Sequence, residues 1–160
     1  AFLKGFCMVE LPAKPDIYVV CPGHPLNIDM YQGVKPLIAL HRLADENTTV
    51  ILYGDFNEGI NAPDFIEPFR AYPDLEELKE YVWSHYEIQM DHIVPIREIL
   101  KKKTRVMVVS ENVSKEDLAA MHMEKYDTLQ EAIDTAIKAH KAACPKAAFC
   151  PQSYRSILHF

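Results

Sequence analysis

Four short apolar runs, at residues 16–20, 49–53, 105–109 and 147–150, recur along the chain, each closed within two residues by a glycine, a proline or a polar side chain. They are apolar at successive positions rather than alternating, which is the pattern of strands covered on both faces. The stretches between the first three carry apolar residues at helical spacing and are long enough for the crossovers that parallel strands require. This alternation predicts an α/β domain, a three-layer Rossmann-like sandwich with a largely parallel sheet. In such sheets ligands bind beyond the carboxyl ends of the strands, so the segments just after the runs are where chemistry is expected.

The first of these segments, residues 21–35, reads Cys-Pro-Gly-His-Pro-Leu-Asn-Ile-Asp-Met-Tyr-Gln-Gly-Val-Lys. Gly23 and the two prolines mark a strand-to-helix turn, and Asn27 or Asp29 suits the cap of the helix that follows. Tyr31 and Lys35 are four apart and Gln32 and Lys35 three apart, so on a helix all three present polar tips to one side. Pro36 removes one helical hydrogen bond and crowds the carbonyl of Gln32. The helix is therefore expected either to kink at Gln32 or to become regular only near Lys35, leaving Tyr31 and Gln32 in an irregular, exposed turn.

The second segment, Gly54-Asp55-Phe56-Asn57-Glu58-Gly59, is a tight loop that lies beside the first if the order is βαβ. It has neither the Walker lysine nor G-x-G-x-x-G spacing, so it does not read as a phosphate loop. The third run ends at Ser110. Gly23, His24, Glu58 and Ser110 are thus candidates to line a cleft whose polar edge is Tyr31, Gln32 and Lys35.

Elsewhere a strand is expected at 6–11, helices at 63–72, 74–86 and 91–103, and a short helix after Ser114 in the manner of a capping box. A clear amphipathic helix runs from a cap at Asp127 to His140, with Leu129, Ala132, Ile133, Ala136 and Ile137 on its buried side. The tail, 152–160, has no readable period. Tyr81, Trp83 and Tyr86 are expected to pack over the domain or to line the cleft, packing being the more common outcome. The histidines are scattered and only His24 lies in the central turn; His122 has no partner at ligand spacing, so no metal site is expected in this chain.

At 160 residues with 49% hydrophobic and 25% charged content, the chain suits one domain with a sizeable core. A formal net charge of −6 argues against nucleic acid as a partner. The one basic run, Lys101-Lys102-Lys103, ends a helical segment, where cations complement the helix dipole. No apolar stretch approaches the roughly 20 residues that span a bilayer. Four cysteines without a C-x-x-C pair read as unpaired core thiols in a reducing cytoplasm. The chain opens on Ala1 without a methionine and enters a strand-like run almost at once, as a piece of a longer protein would.

Tyr31-x-x-x-Lys35 by itself suggests a short-chain dehydrogenase, but those enzymes place the pair several strands after a glycine-rich nucleotide loop, and here it follows an early strand with no such loop. No serine sits in a G-x-S-x-G elbow. A closer resemblance lies in Pro-Gly-His-Pro-x-Asn-Ile-Asp-Met-Tyr-Gln-Gly-Val-Lys, which is similar to the signature opening the C-terminal domain of the nickel-dependent lactate racemase family, where a glycine-rich turn and a proline lead to Asp-Ile-Asn-x-Tyr-Gln-x-x-Lys. The loop from Gly54 to Gly59, the segment from Ile99 to Ser110 and the segment from Asp127 to Ala136 also resemble parts of that domain, so the similarity spans nearly the whole chain. The family usually shows Gly-Gly-Tyr-Pro in the turn, and a Trp-Gln pair where this chain reads Met90-Asp91-His92.

The resemblance implies half of an active site. In that family a nickel pincer nucleotide and the acid–base histidines belong to the N-terminal domain, and the C-terminal domain closes the cleft. Carried to this chain, Gln32 and Lys35 would bind the carboxylate or oxygens of a 2-hydroxy acid, with Tyr31 lining the pocket. The implied partners are the chain's own N-terminal domain and a small hydroxy acid, and no catalytic residue is expected in this segment. A reading of another class is a stand-alone α/β binding or interaction domain without catalysis.

Overall fold

The computed structural model describes residues 4–153 and 157–160. The first residue, Ala1, and residues 154–156 of the tail lie outside the described residues. In chain order the elements are α1 (Lys4–Cys7), β1 (Met8–Glu10), β2 (Ile17–Val20), α2 (Met30–Gly33), α3 (Lys35–Ala39), β3 (Thr49–Tyr53), α4 (Pro63–Ala71) and α5 (Leu75–Ser84). There follow a 3-10 turn (Ile88–His92), α6 (Ile93–Lys101), β4 (Arg105–Val109), α7 (Lys115–Ala120), β5 (Glu124–Tyr126), α8 (Leu129–Ala139), β6 (Ala147–Cys150) and β7 (Ile157–His159).

The expected parallel sheet is present: five strands in the order β5-β4-β3-β2-β6, every neighbouring pair parallel. From β2 the chain steps outward through β3, β4 and β5, then returns by α8 to place β6 on the other side of β2. The direction of winding therefore reverses between β2 and β6, where open sheets form a crevice at their carboxyl ends. The segment 21–29 leaves β2 at that point.

Because side chains alternate across a strand, each strand feeds two layers. Tyr18, Val20, Val50, Leu52, Val106 and Val108 pack into the larger core, with Leu37, Phe65, Leu78, Ile93, Ile96 and Ile99 from the helices on that face. Ile17, Val19, Ile51, Met107 and Val109 meet Ala132 and Ala136 of α8 on the other. Helix–sheet–helix layering of this kind is the Rossmann-like sandwich expected from the apolar runs.

The local differences have local causes. Helix α8 is capped by Thr128, whose hydroxyl accepts from the Glu131 amide at 3.1 Å, rather than by Asp127. Ile137 is 46% exposed instead of buried, because α8 presents a narrow seam of alanines to the sheet. Strand β5 was not expected, since Glu-Lys-Tyr carries no apolar signal and the strand exists by pairing with β4 at the sheet edge. The expected strand at 6–11 shrinks to β1, which pairs in parallel with β7 from the unread tail, through Met8 opposite Ile157 and Glu10 opposite His159. The cysteines are free but not core residues: Cys144 is exposed and Cys7, Cys21 and Cys150 are half-buried.

The edge strand is tied on by charge. Arg105 forks onto Glu124, Nε to Oε1 and Nη2 to Oε2 both at 2.6 Å, and the Tyr126 hydroxyl donates to the same carboxylate at 3.0 Å. The hydrogen bonds from Arg105 hold the Glu124 carboxyl below its usual range. A carboxyl depressed on folding contributes stability above its unfolded value, roughly 4.3, and loses it as pH falls through the folded value. Both side chains are partly solvated, so the expected contribution is about 1 kcal/mol after screening. Glu124→Gln should therefore lose about that much at neutral pH and show a shallower acid limb below pH ~5, read from urea midpoints across pH; identical acid limbs would remove the pair from the account.

Candidate functional site

Residues 21–35 do not form one kinked helix. Gly23 takes a φ of 75°, the left-handed region that glycine occupies without penalty, and turns the chain out of β2. Asp29 then caps α2, its Oδ1 accepting from the Gln32 amide at 2.7 Å. That helix lasts four residues, Val34 separates it from α3, and Pro36 sits in the first turn of α3, where its missing N–H costs nothing. The proline is accommodated by restarting the helix, and Tyr31 and Gln32 lie in a regular half-buried turn rather than an irregular exposed one.

The two loops expected to be neighbours are laced together through their backbones. The Phe56 amide donates to the Asn27 carbonyl at 2.9 Å, Glu58 to Ile28 at 2.9 Å, and Met30 to Gly59 at 2.9 Å. Phe56, at φ 47° and fully buried, drives its ring between Gly33 and Gly54. A Cβ on Gly33 would meet that ring at 2.2 Å and one on Gly54 at 2.7 Å, so both positions need glycine for close approach.

On this platform Lys35 Nζ donates to Gln32 Oε1 across one helical turn, so the polar tips of these two residues meet as expected from their spacing. Tyr31 donates its phenol proton to Asp91 Oδ1 at 3.1 Å. Its ring stacks on His92, with centroids 4.6 Å apart and planes 25° apart, and meets the Phe65 ring edge-on at 5.8 Å. Burial, then the Asp91 carboxylate, pushes the Tyr31 hydroxyl up to about 12, so it is a neutral phenol at physiological pH.

Asp91 and His92, about sixty residues from Tyr31 in sequence, fall where the resembling family carries its Trp-Gln pair, but their residue types gave no sign of this contact. The 3-10 turn that carries them packs against α4, whose Phe65 also meets Tyr31. His92 is 8% exposed, with Nδ1 3.1 Å from the Tyr31 carbonyl and Nε2 3.3 Å from Asp91 Oδ2. Burial pushes its imidazole below the usual value, Lys35 adds to that, and Asp91 and the Tyr31 carbonyl oppose it.

The remaining candidates spread along the carboxyl edge of the sheet. His24 is exposed in the turn after Gly23. Glu58 is also exposed, and its carboxylate accepts from Asn61 Nδ2 at 2.6 Å. Ser110 donates to the Asp55 carbonyl at 2.8 Å and lines an open cleft of about 410 Å3, with Gly54, Asp55, Asn57, Asp127 and Thr128. That cleft lies at the ends of β3 and β4, and neither the Tyr31–Gln32–Lys35 group nor Glu58 lines it.

Of the aromatics expected to cover the domain, Tyr81 stacks on Tyr72 at 4.5 Å, whereas Trp83 is 83% exposed and Tyr86 is exposed beside it in sequence. Among the described residues no group of three or more His, Cys, Asp or Glu side chains is placed to hold a metal ion. No helix among them is long and apolar enough to cross a membrane.

Fold and edge together define an open parallel α/β domain with a cationic and amide-bearing helix start at its topological switch point. Residues 12–153 match the family model for the lactate racemase C-terminal domain, and the chain belongs to that family. Among solved structures it is similar to the lactate racemase apoprotein from Thermoanaerobacterium thermosaccharolyticum, at 20% identity and a TM-score of 0.85 over 99% of this chain. The chain spans 39% of the length of that protein. A search of curated proteins finds no match.

Proposed function

We propose that this chain is the C-terminal domain of a lactate racemase-like protein, and that Gln32 and Lys35 hold the carboxylate of a small 2-hydroxy acid against a partner N-terminal domain. The observation that carries this reading is the half-buried Lys35–Gln32 pair at the switch point, within a domain of this family. An ammonium beside a carboxylate fixes its position, and the Gln32 amide adds directional donors. Lys35 Nζ donates to Gln32 Oε1, and the Gln32 amide N–H groups supply the donors of this reading. Tyr31, neutral and stacked, forms the wall of the pocket.

In this reading the nickel pincer nucleotide, which supplies the hydride chemistry, belongs mainly to the N-terminal domain, as do the acid–base histidines. The contribution of this chain is positional: it binds the anion, limits its rotation and closes the site. By itself the chain is expected to be inactive. A reducing cytoplasm suits the four free cysteines and is part of the same proposal.

The test is racemase or epimerase activity of the full-length, nickel-cofactor-loaded protein on a panel of 2-hydroxy acids, with Gln32→Ala alongside. Turnover of at least one acid is expected, with kcat/KM falling about tenfold in Gln32→Ala for the loss of hydrogen bonds to a charged group. No turnover of any panel member by verified loaded protein would overturn the reading and leave the domain as a binding module.

A further inference from the structure

Arg97, on α6, is 3% exposed, and among the described residues it meets only neutral groups. Its Nη1 lies 2.8 Å from His122 Nδ1 and 3.0 Å from Nε2, its Nη2 donates to the Phe69 carbonyl at 3.3 Å, and its guanidinium carbon stands 5.2 Å from the centre of the Phe69 ring. An imidazole nitrogen accepts a hydrogen bond only when it carries no proton, so His122 brings no charge. The buried Nε of Arg97 has no partner at all. A guanidinium taken out of water without a counter-charge is costly, and buried cations are ordinarily paired. Burial pulls this one below its ordinary value with no carboxylate opposing the shift.

Arg97 and His122 line one cavity of about 200 Å3, whose other charged members are Asp74 and Lys101. Two cations therefore stand against one carboxylate. That carboxylate is engaged as the cap of α5, accepting from the Glu76 and Glu77 amides at 2.8 and 3.2 Å. Lys101 is exposed and comes no closer than 3.8 Å to Glu76 Oε1, so it is free to turn. His122 presents its ring from a backbone at φ 59°, in the left-handed region that is uncommon outside glycine. The cavity sits where α6 and α7 run into β4 and β5, at the amino ends of those strands. It is thus at the opposite end of the parallel sheet from Gln32 and Lys35, which follow the carboxyl end of β2.

We propose that this cavity is a binding site for a phosphate group, in which Arg97 supplies the buried charge, His122 a ring N–H and Lys101 a mobile cation. The site is separate from the proposed hydroxy-acid site and does not depend on it. A guanidinium offers a planar fork of donors that matches phosphate oxygens. Donors on α6 and in the turn before β5 come from separate elements, which suits a tetrahedral anion with oxygens on every side. A planar carboxylate has two oxygens, and a single fork occupies both. On binding, the anion takes the Arg97 N–H now given to His122, and the released ring offers its own N–H in exchange.

The test titrates the full-length protein, labelled at histidine Cε1, with inorganic phosphate and with chloride at matched ionic strength. The His122 resonance is assigned by its loss in His122→Asn, since asparagine tolerates the left-handed backbone. It should move saturably with phosphate and stay in place with chloride. Half-saturation should need about tenfold more phosphate in Arg97→Met. In Lys101→Ala, an exposed change that leaves the core intact, it should need about threefold more. Glycerol 2-phosphate identifies the source of the group: tighter binding than inorganic phosphate assigns the site to a phosphomonoester, and weaker binding to the free ion. A His122 resonance that ignores phosphate, or that chloride moves equally, overturns the proposal.

Unfolding provides a second readout. Replacing an unpaired buried charge by an apolar side chain of similar length costs little, so Arg97→Met without phosphate should unfold near the wild-type temperature. Phosphate should raise the wild-type midpoint and leave that of Arg97→Met unchanged. A variant that loses the same stability with and without phosphate makes Arg97 a packing residue and overturns the assignment.

Discussion

Under the proposed function, Lys35→Ala should cost the full-length protein about 100-fold in kcat/KM for the 2-hydroxy acid it turns over best. A charge-assisted bond to a carboxylate is worth about 1.5–3 kcal/mol, and each 1.4 kcal/mol is tenfold. The loss exceeds that of Gln32→Ala because the alanine also releases the carbonyl oxygen of Gln32, which Lys35 now holds. The freed amide can then turn its oxygen toward the substrate and repel it. Lys35→Arg restores charge but not the compact geometry, and is expected to recover only part of the activity. Stopped-assay racemisation with circular dichroism of the folded variants separates the cases. A Lys35→Ala enzyme within threefold of wild type would remove this residue from the site.

The largest expected effect on stability is at Phe56. Its side chain is fully buried between two glycines, and deleting it opens a cavity that neither glycine can fill, so Phe56→Ala should cost about 3–5 kcal/mol. For a domain of this size that is about 10 °C in thermal midpoint. The converse change, Gly33→Ala, pushes a methyl into the same ring and should cost about 1–3 kcal/mol. Combining Gly33→Ala with Phe56→Leu should cost clearly less than the sum of the single changes, because the smaller side chain makes room. Strict additivity in thermal or urea unfolding would show that the ring and the glycine are not in contact.

What the sequence disclosed depends on how local the cause is. The strands at Ile17–Val20, Thr49–Tyr53 and Arg105–Val109 are legible because burial on both faces writes itself into consecutive residues. The spacing of Gln32 and Lys35 was legible for the same reason, since one helical turn sets it. The restart at Val34 was half legible: Pro36 announced a break, but the sequence alone does not say on which side of it a helix survives. The resemblance marked Met90-Asp91-His92 as the place of a family Trp-Gln pair, but the contact of Asp91 and His92 with Tyr31 was illegible, because it is decided by how α4 and the 3-10 turn pack. The pairing of β1 with β7 was hidden likewise, as each strand is three residues long and its partner lies at the far end of the chain.

The lacing between segments 27–30 and 56–59 runs entirely through main-chain atoms. Its geometry is thus indifferent to which side chains occupy the exposed positions Asn57 and Glu58. That separates support from surface: the exposed tip of this loop is free to diversify while the helical turn bearing Gln32 and Lys35 stays in register. Directed evolution confined to those two positions would therefore vary the exposed face of this loop without loosening the backbone that carries Gln32 and Lys35, a division of labour between a fixed support and a replaceable surface.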